Sequence, residues 1–237
     1  MRFPTPLVPA RLIRRYKRFV SDMELADGSV VTAHCPNPGS MMGLAEPGQH
    51  CWLEPVAGKG RKLPFAWRLV VLGEGQMAGV DATLPNRVVG EALRAGQVGP
   101  LAGYAEIRAE QRYGTRSRVD FLLDGPRGRA FVEVKNVHLR RSGDWAEFPD
   151  CVTARGAKHL AELAAMVAEG HRAVLLYLVQ RTDCARFRLA GDIDPAYAAA
   201  AARARAAGVE FLAYGTRISP EGVEFGDQMP VAAPEPA

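Results

Sequence analysis

The chain is short of lysine, of cysteine and of long apolar runs, and each shortage excludes something. Lysine occurs only at Lys17, Lys59, Lys62, Lys135 and Lys158, so most of the positive charge is arginine. Genome composition alone can produce that bias and the alanine runs. Lys135 and Lys158 nevertheless both fall in motifs singled out below. The 4 cysteines, Cys35, Cys51, Cys151 and Cys184, form no C-x-x-C pair. A zinc knuckle or dithiol redox motif is therefore not expected, and the thiols are expected free, in a reducing cytoplasm. No apolar stretch approaches the length of a membrane span. The start of the chain lacks an apolar signal core, because Arg11, Arg14, Arg15, Lys17 and Arg18 interrupt it. No membrane partner is expected.

What is present is a 237-residue chain that is 48% hydrophobic with a net charge of +4. That is enough apolar material for one large or two small buried cores, and a mildly basic balance permits nucleic-acid binding. The most informative stretch is Ser117 to Val137. Two alternating apolar runs flank Gly125-Pro126-Arg127-Gly128, which reads as the turn of a β-hairpin. Folding between Pro126 and Arg127 sets Leu122 opposite Phe131 and Asp120 opposite Glu133. Val119, Phe121, Leu123, Val132 and Val134 then share an apolar face, and Asp120, Glu133 and Lys135 lie on the other. Facing carboxylates repel unless a cation lies between them. Mg²⁺, with Mn²⁺ as its substitute, suits oxygen ligands and keeps part of its water shell. A neighbouring lysine can orient a water or offset charge on a phosphate. Asp120, Glu133 and Lys135 are thus candidate catalytic residues of a metal-assisted phosphodiesterase. The metal ligands would be Asp120, Glu133, the Val134 carbonyl and Glu91, with Glu110 as a further carboxylate to consider.

Along the chain, residues 1–81 give short β-like runs: Leu12–Leu25, Ser29–Cys35, His50–Val56, Ala66–Leu72 and Gln76–Val80. Asp27-Gly28, Pro36-Asn37-Pro38-Gly39, Pro47-Gly48 and Gly58-Lys59-Gly60 supply the turns. Five short strands suggest an OB-like β-barrel. Arg15, Tyr16, Lys17, Arg18 and Phe19 interleave cations with aromatics, as a strand that tracks a phosphate backbone and stacks bases would. Residues 82–225 change texture to an α/β pattern with a mixed sheet. A short helix follows Asn86 as its cap. Ile107–Gln111 and the hairpin come next, then a helix over Ala154–Glu169 opened by Thr153 and closed by Gly170. Ala173–Val179 reads as a buried strand, a helix runs from Asp194-Pro195 to Gly208, and Val209–Tyr214 is the last strand. On the helix after Thr153, Arg155, Lys158, His159 and Glu162 fall on a face away from the apolar stripe. The three basic residues are candidates for holding a phosphate. Residues 226–237 are Pro/Ala-rich and expected disordered.

These stretches resemble the sugar fermentation stimulation protein (SfsA) family from about residue 8 to 225. The resemblance is carried by Arg15–Phe19, Ala33–Met41, Leu84–Val88, Tyr113-Gly114, Ser117–Phe121, Val132–Asn136, Pro149–Leu160 and Ala207–Glu210. It implies an OB-like barrel followed by a PD-(D/E)xK, restriction-endonuclease-like domain, DNA binding, and a role in regulating sugar catabolism. Asp120, Glu133 and Lys135 fill the nuclease signature, and Arg118 joins the expected nucleic-acid contacts. Pro38, where the family pattern has Thr, and the insertion-like Thr115-Arg116 depart from it. Two functions compete: a metal-dependent nuclease, and a non-cleaving DNA-binding regulator with a vestigial site. No helix-turn-helix is evident, so binding is expected to be largely electrostatic and insensitive to sequence.

Overall fold

The computed structural model describes residues 1–56, 62–114 and 117–232. The turn at Gly58-Lys59-Gly60, the Thr115-Arg116 insertion and residues 233–237 lie outside them. The first domain consists of β1 (Val8–Tyr16), β2 (Val20–Leu25), β3 (Val30–His34), β4 (His50–Pro55), β5 (Phe65–Val71) and β6 (Met77–Gly79). Their order is β3-β2-β1-β4-β5-β6, and a parallel β3–β5 pairing closes the first five strands into a barrel. Alternation drives the closure. Ala10 and Leu12 of β1, Met23 of β2, Ala33 of β3 and Leu53 of β4 point inward around fully buried Trp67. The expected run Leu12–Leu25 is two strands, because Lys17 and Arg18 take positive φ (48° and 61°) and reverse the chain. A bulge at Ile13 shifts the register, with Leu12 opposite Met23 and Arg14 opposite Asp22.

The second domain is a six-stranded mixed sheet in the order β14-β13-β11-β9-β8-β7. It is built from β7 (Glu106–Tyr113), β8 (Ser117–Gly125), β9 (Gly128–Val137), β11 (Arg172–Val179), β13 (Glu210–Ser219) and β14 (Gly222–Gln228). Helix α1 (Leu84–Arg94) covers one face through Val88, Val89, Ala92 and Leu93. Helices α2 (Ala154–Ala168) and α3 (Pro195–Ala206) cover the other through Leu160, Leu163, Tyr197 and Ala201. With both faces covered, β11 is buried almost throughout. A small parallel pair, β10 (Trp145–Phe148) and β12 (Arg186–Leu189), flanks this layer.

The hairpin forms in the expected register, with Leu122 opposite Phe131 and Gly125 opposite Gly128. Phe121, Leu123, Val132 and Val134 share one buried apolar face as expected, and it packs toward α1. Val119 packs instead with the α2 side. Glu110, opposite Asp120 in the β7–β8 ladder, has φ 55°, and the pairing skips both residues. The sheet is kinked there, and strict alternation fails across the kink.

Three expectations need correction. Asn86 does not cap α1. Thr83 precedes the helix and Pro85 occupies its first turn, where a missing N–H costs nothing, so Asn86 lies inside it. Val209–Tyr214 is not the last strand. β13 runs on to Ser219 and β14 returns antiparallel to it. Residues 226–232 are accordingly ordered rather than a tail. Val223 and Phe225 bury one side of β14. The Met229 amide then donates to the Ala213 carbonyl at 2.8 Å, and the Phe187 amide to the Pro230 carbonyl at 2.9 Å.

Candidate nucleic-acid-processing site

The site forms where the hairpin ladder opens. The β8–β9 pairing ends at Phe121 opposite Val132. Beyond it the Asp120 side chain replaces the backbone: its Oδ2 accepts the Val134 amide at 2.7 Å, and its Oδ1 accepts Asn86 Nδ2 at 2.7 Å. In a strand the N–H and C=O of one residue point the same way, so the Val134 carbonyl faces this same gap. Glu133 is 3% exposed. Its Oε1 accepts Lys135 Nζ at 2.7 Å and also meets His159 Nδ1. Its Oε2 is buried with no hydrogen-bond partner among the described residues.

Arg155 Nε approaches His159 Nε2 at 3.3 Å. Since the guanidinium can only donate, Nε2 accepts and Nδ1 carries the proton that His159 gives to Glu133. His159 is therefore a buried support of Glu133, not a residue on the solvent face of α2 as its spacing suggested. Glu162 is buried as well.

The electrostatics are uneven across the pair. Burial and then the Glu133 charge push Asp120 up to about 6, against the Val134 amide, Asn86 and Lys135, which pull it down. Burial also pushes Glu133 up, but His159 and Lys135 outweigh it and hold the carboxyl below its ordinary range. The two carboxylate charges thus bear on each other, with Lys135 the ammonium beside them.

Glu91 does not join them. It lies about 140° around the helix from Asn86 at 100° per residue. Its carboxylate pairs with the N-terminal ammonium at 2.9 Å and with Arg87 at 3.4 Å. Glu110 is exposed at the kink. Among the described residues, no three His, Cys, Asp or Glu side chains are grouped to hold a metal ion.

Arg15 is committed elsewhere. Its guanidinium donates to the carbonyls of Arg18 at 3.0 Å, Asn37 at 2.8 Å and Gly39 at 3.0 Å, so it shapes the loop after β3 rather than facing a phosphate. Tyr16 is half-buried and donates to Asp22 at 3.1 Å. Lys17, Arg18 and Phe19 are exposed on the β1–β2 turn. Arg155 and Lys158 are exposed on α2, and Arg118 is exposed on β8 opposite Arg112 in the ladder. Like charges directly opposite favour an anion between them.

Sequence reasoning missed Asn86, which fixes Asp120 from the first turn of α1. It also missed the junction cluster of Asn37, His138 and Asp150. There Asp150 Oδ2 accepts the Ser40 amide at 3.0 Å and lies 3.6 Å from His138 Nε2, tying the barrel to the sheet domain. Leu84–Val88, Ala33–Met41 and Pro149–Leu160 all stood out as motifs, and that was the available signal.

A closed OB barrel joined to a mixed α/β sheet that carries a two-carboxylate, one-lysine hairpin defines the class. Family models agree: "SfsA N-terminal OB domain" matches residues 13–80 and "Sugar fermentation stimulation protein RE domain" matches residues 83–222. The chain belongs to the SfsA family. It is 62% identical over 233 residues to the sugar fermentation stimulation protein homolog of Jannaschia sp. (strain CCS1), covering 98% of this chain and 97% of that one. It is 63% identical over 233 residues to the homolog of Dinoroseobacter shibae, covering 98% and 96%. Among solved structures, that of Pyrococcus furiosus SfsA in complex with Ca²⁺ superposes with a TM-score of 0.88 at 28% identity, covering 98% of each chain. Among the described residues, no helix is long and apolar enough to cross a membrane.

Proposed function

We propose that this chain is a metal-dependent phosphodiesterase acting on nucleic acid, with DNA the first substrate to test. The observation that supports this most is the facing pair Asp120 and Glu133. Glu133 is buried and Asp120 half-buried, and Glu133 Oε2 has no hydrogen-bond partner among the described residues. Leaving a buried carboxylate oxygen unpaired costs stability, and a cation removes the cost. The donor set fits a hard cation such as Mg²⁺ or Mn²⁺: Asp120, Glu133 and the Val134 carbonyl would hold it, and water would fill the rest of its shell. The Ca²⁺ complex of the archaeal relative supports a cation of this chemistry. When bound, the cation supplies polarisation of a phosphate oxygen and a more acidic water.

The chain's own groups do the rest. Asn86 and the Val134 amide fix the Asp120 carboxylate from two sides. His159 holds Glu133 through Nδ1 and is itself held by Arg155. Lys135 brings the ammonium charge that offsets charge building on a phosphate, where preorganised groups count most. Lys17, Arg18 and Phe19 on the barrel turn, with Arg118, Arg155 and Lys158 on the sheet domain, would carry the strand. Nucleic acid would then bind across both domains through its backbone. We place the link to sugar catabolism, carried by the relatives' names, downstream of this activity. The test is cleavage of labelled single- and double-stranded DNA and RNA with Mg²⁺, Mn²⁺ or EDTA. Metal-dependent cutting is expected. Salt-sensitive binding without cutting under any metal would favour the non-cleaving regulator.

A further inference from the structure

A groove of about 790 Å³ lies between α2 and the β7–β9 side of the sheet, one helical turn beyond His159. Its apolar wall includes Leu122, Phe131 and Met166. Two buried polar groups line it with no hydrogen-bond partner among the described residues: both oxygens of Glu162 and the hydroxyl of Tyr113. Glu162 is 8% exposed and Tyr113 is 7% exposed. Among the described residues, Lys158 pairs with Glu162 at 3.6 Å and lies half in solvent. Arg112 and Arg129 also line the groove, Arg129 sharing its charge with Asp124 at 3.1 Å, and Glu169 is the other acid. Apart from Lys158, which also lies along the proposed strand path, none of these groups takes part in the site at Asp120 and Glu133. A buried carboxylate with neither oxygen hydrogen-bonded among the described residues, and one half-exposed ammonium beyond hydrogen-bond distance, is costly unless a ligand supplies donors.

We propose that this groove takes one unpaired guanine from a bound strand. A carboxylate presents two adjacent acceptors. Among the common bases, guanine alone offers two adjacent N–H donors on its Watson–Crick edge, at N1 and N2. Adenine and cytosine set an acceptor beside their amino group, and thymine and uracil flank one N–H with carbonyls, so each would bring an oxygen or nitrogen lone pair against Glu162. The Tyr113 hydroxyl can donate to a base acceptor. The Tyr113 and Phe131 rings, 5.7 Å apart, give the base an apolar surface. Arg112 and Lys158 suit the flanking phosphates. Glu162 follows His159 by three residues, a rise of about 4.5 Å along α2, so the base would belong to a nucleotide near the phosphate at Glu133. Reading one base in this way is compatible with backbone binding that ignores the rest of the sequence. The inference rests on the nucleic-acid reading of the neighbouring site.

The test is calorimetry of the intact chain in EDTA with 5′-GMP, 5′-IMP and 5′-AMP. IMP differs from GMP only in lacking the N2 amino group. GMP is expected to bind at least about tenfold more tightly than either, and Glu162→Gln is expected to erase that difference. Should Glu162→Gln fail to fold, N1-methyl-GMP on the wild-type chain serves instead, with the same loss expected. Equal affinities for the three nucleotides, or no binding of any at millimolar concentration, would overturn the proposal. Because no metal is present, the two readings fail separately. Cleavage without a GMP preference removes the groove and keeps the phosphodiesterase. A GMP preference without cleavage does the reverse.

Discussion

Glu147, on the four-residue β10, and Glu133, on the ten-residue β9, are glutamates of the same domain, and both side chains are nearly inaccessible, 0% and 4% exposed. Their surroundings differ. Glu147 is enclosed by arginines: Arg141 reaches it at 2.7 and 3.1 Å and Arg188 at 2.8 Å, and Asp192 shares Arg141 from outside. Burial pushes Glu147 up, but the two guanidiniums outweigh it and hold the group below the ordinary carboxylate range. Glu133 has one ammonium and one imidazole on a single oxygen, no hydrogen-bond partner on the other among the described residues, and a second carboxylate facing it. A buried acid with every oxygen paired holds a structure together. One left half-paired beside another acid costs stability and is the arrangement expected of a site that waits for a cation.

Breaking each centre should separate the two roles. The largest effect is expected on chemistry. Glu133→Gln should lower metal-dependent cleavage by about 10³-fold or more. It should leave nucleic-acid affinity equal or raised, because a repelling charge is gone; anisotropy and gel cleavage on the same substrate would show both. Glu147→Ala should do the opposite. It strands Arg141 and Arg188, and since both guanidiniums keep some solvent, the loss should be about 2 kcal/mol by denaturant unfolding, with little change in cleavage by the folded fraction. A Glu147→Ala protein as stable as wild type would erase the contrast.

Asp120→Asn is the sharper test of strain at the site. Removing one of two facing charges relieves their repulsion, but Asn keeps one acceptor where Val134 N–H and Asn86 Nδ2 need two, so metal-free stability should change by less than about 1 kcal/mol while cleavage is abolished. A variant destabilised by more than that would mean that the Asp120 bonds to Val134 and Asn86 outweigh the repulsion.

The smallest effect is expected at the domain junction. Burial, aided by Arg181 and Arg15 and opposed by Asp150, holds His138 below its ordinary 6.5. A histidine whose folded value is depressed contributes stability above its unfolded value and loses it as pH falls through the folded one. Unfolding midpoints should therefore decline between about pH 7 and pH 5, and His138→Asn should flatten that slope. A wild-type slope unchanged by His138→Asn would place the acid sensitivity elsewhere.

The sequence was most readable where local rules decide the geometry. Glycines on both sides of Pro126-Arg127 set the hairpin register, and Leu122 met Phe131 as that turn required. Thr153 and Asp194 announced their helices because a cap is a contact three residues long. What stayed hidden depends on partners distant in the chain. Asn86 bonds a residue 34 positions away, His159 one 26 away and Arg15 one 22 away, so each looked like a cap or a surface cation. The four-residue strands β10 and β12 are too short to show a period. β14 was lost behind a Pro/Ala-rich ending, although Val223 and Phe225 alternate toward the core.

The central claim is that Asp120 and Glu133 form one cation site. It is tested most directly by anomalous diffraction from crystals of the wild-type chain soaked in Mn²⁺. A single strong peak between the Asp120 and Glu133 carboxylates, beside the Val134 carbonyl and absent from Glu133→Gln crystals, is the expected result. No peak there, with the two carboxylates unmoved and Glu133 Oε2 bonded to a protein donor instead, would contradict it.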